Sequence, residues 1–337
     1  MTSSCDGPVR AERRRTSISF HSSPRQHQSG GAPSAANTRG FTLQRKRRWP
    51  WIAGGTVIAL IAITALAAVR NSNDGSTIGD AGSTVEVAYL ESNPAEQAIV
   101  EYISTTLGPA HHVKVKGISL SDSTQINRSV SDGKIAGTIF QHKYWLGQVM
   151  EANPSFKEEP GTGPIFHWIF GVWSDKYRSV NDLPDGAKIS VPSDPANQAQ
   201  ALWLLEKIGL IKLRDGVQPW SAGLNDIAQN PHHFSWVQLD LAAQPRGLAS
   251  LDAVIGYAES FLAAGIPQSK LIYNPKSPDQ FASVLTIGTR YKDTENVKNL
   301  IAAFNDPRLQ TFIANDPRTR PIVLPTTTSA AGTHSAG

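Results

Sequence analysis

A single cysteine, Cys5, stands among 337 residues, so no intramolecular disulfide is available and any folded domain must rely on its core. That cysteine lies upstream of the one long apolar run, where lipoprotein processing would not leave it. Catalytic signatures are missing too: there is no G-x-S-x-G elbow, no Walker loop and no G-x-G-x-x-G at a βα turn. The chain therefore reads as a non-enzyme without a cofactor. Among nine histidines are the adjacent pairs His111-His112 and His232-His233, but H-E-x-x-H and Cys/His spacings are absent. Neighbouring residues on a strand point to opposite faces, so no metal site is expected. The pair Glu158-Glu159, in a Pro/Gly-rich stretch, reads as solvated surface.

What is present begins with Trp49–Val69, a run of 21 positions without a charge. About 20 apolar residues at ~1.5 Å rise span a ~30 Å hydrocarbon core, so this is expected to be an uncleaved transmembrane anchor. Arg45-Lys46-Arg47-Arg48 precedes it and should remain cytoplasmic, which places the rest of the chain outside the cell membrane as a single-pass protein. Residues 1–48 hold ten Lys/Arg against two Asp/Glu, a balance of +8; with the whole chain at +4, the remainder carries −4. The basic tail is expected to be disordered and to serve topology and anionic lipid, not nucleic acid.

Residues 71–83 read as a polar linker and 326–337 as a low-complexity tail. Between them, strand-like runs (Val85–Leu90, His112–Ile118, Ile135–Phe140, Phe166–Trp173, Lys188–Val191, Trp236–Leu239, Ala253–Ile255, Ser283–Thr289) alternate with helical periodicity (Asn93–Leu107, Ala196–Ile208, Ser260–Ala264, Thr294–Asn305). Asp194-Pro195 suits an N-cap and first helical position, and Gly209 a helix stop. This alternation predicts an α/β fold with largely parallel sheets. Such sheets bind ligands beyond the carboxyl ends of their strands. That rule selects three junctions, which hold Phe140, His142 and Trp145; Asn197 and Gln200; and Tyr257 and Glu259.

At these junctions the sequence resembles the NlpA family of methionine-uptake lipoproteins, which deliver ligand to ABC importers. The resemblance rests on IFQHKYWL (139–146), SVNDLPDG (179–186), ISVPSDPANQAQALWLLEKIGLIKLRDGV (189–217) and LAAQPRGLASLDAVIGYAESFLAAGI (241–266), and covers about 84–325. It implies a two-lobed type 2 periplasmic-binding-protein fold preceded by the transmembrane helix. Lobe one would be 84–172 plus 284–325 and lobe two 174–282, with Phe166–Trp173 and Ser283–Thr289 crossing between them. It implies a small-molecule ligand, ABC permease and ATPase partners, and a monomer. The family's pocket histidine matches His142 and its asparagine Asn197. Trp145 stands where tyrosine is usual, Gln200 where an arginine grips the ligand carboxylate, Tyr257 where asparagine is expected and Ser123 where tyrosine is expected. A neutral glutamine does not replace a bidentate arginine, so the ligand is expected to be less acidic than methionine, or more cationic if Glu259 faces the cleft, unless Lys143 or Arg246 compensates. The alternative is a non-transport sensor or membrane-partner protein with a vestigial pocket.

Overall fold

Alternation sets the first strand. In β1 (Thr84–Leu90), Val85 and Val87 are buried while Thr84 is exposed. The chain turns through α1 (Pro94–Tyr102), where the Asn93 side chain accepts from the Glu96 N–H at 3.1 Å and Pro94 takes the first helical position. It returns as β2 (Lys114–Leu120), parallel to β1 along all seven residues. Next come α2 (Ser123–Ser131), β3 (Gly137–Thr138), α3 (Lys143–Ala152) and β4 (Glu158–Pro160). The computed structural model describes residues 78–91 and 93–326. The basic tail, the apolar segment 49–69, Cys5 and the residues from 327 onward lie outside them. Among the described residues no helix is long and apolar enough to cross a membrane.

The stretch predicted as one crossing strand is two. β5 (Phe166–Trp168) pairs antiparallel with the last strand, and β6 (Phe170–Trp173) joins a second sheet. Ile169 lies between them, its N–H donating to the Ile322 carbonyl at 2.8 Å. The second sheet adds β7 (Lys188–Pro192), α4 (Pro195–Lys207), the short ribbon β8 (Lys212–Leu213) and β9 (Ile227–Gln229), then β10 (Ser235–Leu239), β11 (Ala253–Tyr257), α5 (Ala258–Ala263) and β12 (Leu271–Tyr273). The chain returns as β13 (Thr286–Gly288), α6 (Glu295–Phe304), α7 (Arg308–Asn315) and β14 (Val323–Pro325).

The two main sheets run β2-β1-β3-β13-β4 and β10-β7-β11-β6-β12. In each, three parallel strands end in antiparallel pairings, because the chain returns from the opposite lobe through β13 in one and enters through β6 in the other. The result is two α/β lobes. The segments between them meet at Ser283, which bridges both His142 and Phe166.

Three local outcomes differ from the sequence reading. Ile78–Ser83, assigned to the linker, is docked on the domain: Asn296 Nδ2 donates to the Ile78 and Asp80 carbonyls and to Ser83 Oγ. Glu158 is not solvated surface but a buried residue of β4, where burial pushes its carboxyl up to about 8. The paired histidines sit in turns, not on strands, with His112 and His233 at positive φ and His111 Nε2 2.8 Å from Asp306.

The α4 boundaries do match. The Asp194 carboxylate accepts from the Asn197 N–H at 2.9 Å, and Gly209 follows the helix at φ +74°. Asp194→Ala is expected to cost about 1 kcal/mol, lowering the melting temperature by about 2–4 °C in a calorimetric scan. An unchanged melt would mean that the cap contributes nothing.

Candidate functional site

Strand ends and helix starts converge where the lobes face each other. His142 caps α3 from the end of lobe one, its Nδ1 accepting from the Trp145 N–H at 3.3 Å. Asn197 lies in the first turn of α4, Tyr257 ends β11, and Glu259 sits in the first turn of α5. Phe140, His142, Trp145, Asn197, Tyr257 and Glu259 line one cavity of about 410 Å³. Gln200 does not line it: fully buried, it lies behind Tyr257. Ser123 does line the cavity, whereas Lys143 and Arg246 do not.

The polar groups of this site are largely bonded to one another. With Nδ1 of His142 accepting, its proton sits on Nε2, which faces Asn197 Oδ1 at 3.4 Å. Burial lowers His142 to about 4 against that bond, so the ring is neutral near pH 7. Asn197 Nδ2 donates to both Asp194 carboxylate oxygens, at 3.0 and 3.1 Å. The Tyr257 hydroxyl lies 2.5 Å from Asn197 Oδ1 and 2.9 Å from Gln200 Oε1, and its one proton serves either. Burial, then the carboxyls of Asp194 and Glu259, hold this phenol well above its usual range. Gln200 Nε2 in turn donates to Ser277 Oγ at 3.0 Å. At this end of the site the Tyr257 hydroxyl and the Gln200 amide thus satisfy each other.

The opposite wall was not legible in the sequence. Glu96, fully buried in α1, lines the cavity beside Glu259. Asn93 Nδ2 donates to both carboxyls and so links a residue of lobe one to one of lobe two. Glu96 also accepts the Leu90 N–H at 2.8 Å. Burial first, then the Glu259 charge, push Glu96 well above the usual carboxylate range; burial raises Glu259 to about 7. Trp168, read only as part of a crossing strand, packs edge-on against Tyr257 with ring centroids 6.1 Å apart and completes the aromatic wall. Among the described residues no group of three or more His, Cys, Asp or Glu is arranged to hold a metal ion.

Two α/β lobes with a lined cavity between facing strand ends define the periplasmic-binding type of fold. The profile of the NlpA lipoprotein family matches residues 85–324, and the chain belongs to that family. A D-methionine-binding lipoprotein of Salmonella typhi is 30% identical over 213 residues, 62% of this chain and 78% of that protein. An ABC transporter periplasmic substrate-binding protein of Coxiella burnetii is similar in structure at 28% identity and TM-score 0.62, covering 72% of this chain and 99% of that one. A nutrient-binding protein of Burkholderia cenocepacia bound to methionine gives 28% identity and TM-score 0.60, with the same coverage.

Proposed function

We propose that this chain is the extracytoplasmic solute-binding component of an ABC importer, capturing a small amino-acid-like solute between its two lobes. The observation that carries this reading is the cavity itself, lined from both lobes by aromatic rings and a few polar groups at the strand ends. Family membership and relatives named as substrate-binding proteins support it. Trp49–Val69 is assigned as the membrane anchor, with the basic tail inside and the binding domain outside. The site residues are Phe140, His142, Trp145, Asn197, Tyr257 and Glu259, with Gln200 holding Tyr257 from behind.

Binding to the native state alone stabilises it by about 2.7 kcal/mol at a hundredfold excess over Kd. A thermal-shift screen of the full-length chain in detergent against amino acids, amines, short peptides and sulfonates is therefore expected to yield at least one class that raises the melt. A panel without any hit, together with failure to co-purify permease and ATPase subunits, would overturn the proposal.

A further inference from the structure

The cavity has a charge pattern unlike that required by a zwitterionic amino acid. Among the described residues no lysine or arginine lines it, and Lys143 belongs to a different cavity beside Asp279. Two carboxyls, Glu96 and Glu259, face the same space across Asn93, whose two amide protons are already shared between them. Glu259 and Ser260 also border a smaller adjoining cavity that Glu91 lines, again without a basic residue. A ligand carboxylate placed here would meet two carboxyls and no basic side chain to offset its desolvation.

Neutral groups do not supply the missing grip. Asn197 is engaged with Asp194 and Tyr257, His142 with Asn197 and the Trp145 N–H, and Gln200 with Tyr257 and Ser277. Trp145, a residue of the cavity wall, has a buried indole Nε1 without a hydrogen-bond partner among the described residues. An indole N–H donates to a neutral carbonyl, hydroxyl or ether as well as to an anion, so it does not require a charged acceptor. Phe140, Trp145, Trp168 and Tyr257 line the same space, and organic cations bind over the faces of such rings.

We infer that the ligand is an organic cation, an ammonium-bearing compound without a free carboxylate, with its charged head between Glu259 and Glu96 and its apolar part among the aromatic rings. This rests on the solute-binding reading and narrows its substrate class. An ammonium group supplies the donors and the positive charge that Asn93 alone does not, and a charge-assisted contact to Glu259 exceeds a neutral one.

The test is isothermal titration of the full-length chain in detergent with three compounds sharing one thioether chain: methionine, methylthiopropylamine (ammonium only) and methylthiobutanoate (carboxylate only). The amine is expected to bind at least about tenfold tighter than methionine, a gap of about 1.4 kcal/mol, and the butanoate to give no heat. Glu259→Gln, near-isosteric and uncharged, is expected to weaken the amine by at least about tenfold, with its circular dichroism and melt confirming a folded protein. Methionine or the butanoate binding as tightly as the amine would overturn the cation assignment and leave the importer reading intact. Unchanged amine affinity in Glu259→Gln would do the same. No heat from any of the three, nor from a wider amine panel, would overturn both.

Discussion

Phe166→Ala is expected to cost the domain about 3–5 kcal/mol, a large part of the roughly 5–15 kcal/mol that holds a typical domain folded. Phe166 has no exposed surface and ranks among the largest fully buried side chains. It stands where the lobes are joined, pairing with Pro325 of β14 while its carbonyl accepts the Ser283 N–H at 2.9 Å. Its ring meets Trp168 edge-on, with centroids 5.0 Å apart, and Trp168 in turn lines the cavity against Tyr257. Truncation therefore removes buried apolar area, leaves a void the antiparallel pairing prevents from collapsing, and takes away the floor beneath a cavity wall. Urea unfolding is expected to show a lower midpoint at unchanged slope. Phe166→Leu, which keeps most of the volume, should lose less than about 1.5 kcal/mol. A loss below about 1 kcal/mol for alanine would show that this junction relaxes around the void and contributes little rigidity.

The α/β fold was readable wherever local chemistry and tertiary packing agree. Asp194-Pro195 and Gly209 bound α4 by dihedral preference and capping, which act within a few residues. The alternation of β1 follows from one buried and one solvated face. By contrast, α3 was missed because only Leu146 is buried in it and Gly147 interrupts it, so its apolar stripe is too thin to register. Phe166–Trp173 reads as one continuous crossing strand because every position but His167 lacks a polar side chain; the break at Ile169 arises from a change of partner, from β14 to β11 and β12, which no local pattern encodes. The site divides in the same way. Residues at strand ends were legible from the rule for parallel sheets, and six of the seven selected meet in one cavity. Gln200 followed that rule too, yet its register on α4 turns it behind Tyr257. Glu96 gave no sign of its role: a glutamate in a first helical turn reads as favourable placement at the helix dipole. Only the closure of lobe one against lobe two sets it beside Glu259.

That juxtaposition gives the second large effect, a steep dependence of cation affinity on pH. Glu259, raised to about 7 by burial against the lowering effect of Asn93, is the cavity group placed to change charge between pH 5 and 8. Of the groups facing it, burial and then the Glu259 charge push Glu96 well above the usual carboxylate range, and Tyr257, raised above its own usual range, remains a neutral phenol. His142, held near 4, is uncharged across the window, and Glu91 and Asp122 are exposed carboxyls at the rims. The sign follows from which form the ligand prefers. An alkylammonium, whose own proton leaves only near pH 10, binds the ionised carboxylate, so the complex holds fewer protons at Glu259 than the free protein. Affinity for methylthiopropylamine is therefore expected to fall by about tenfold from pH 8 to pH 6 and by about a hundredfold from pH 8 to pH 5. Binding at pH 6 should release close to one proton, seen as a dependence of titration heat on buffer ionisation enthalpy. In the free protein this group acts the other way. A carboxyl raised in the folded state favours folding by holding its proton, and that contribution is lost as pH climbs from about 4.5 toward 7. The ligand thus stabilises most where Glu259 alone stabilises least, and the thermal shift it produces should grow with pH over the same interval. A flat affinity profile with no proton release would show either that Glu259 stays ionised throughout, which removes the pH dependence and keeps the carboxylate contact, or that it does not touch the ligand's charge, which removes it from recognition; an unchanged affinity in Glu259→Gln identifies the second case.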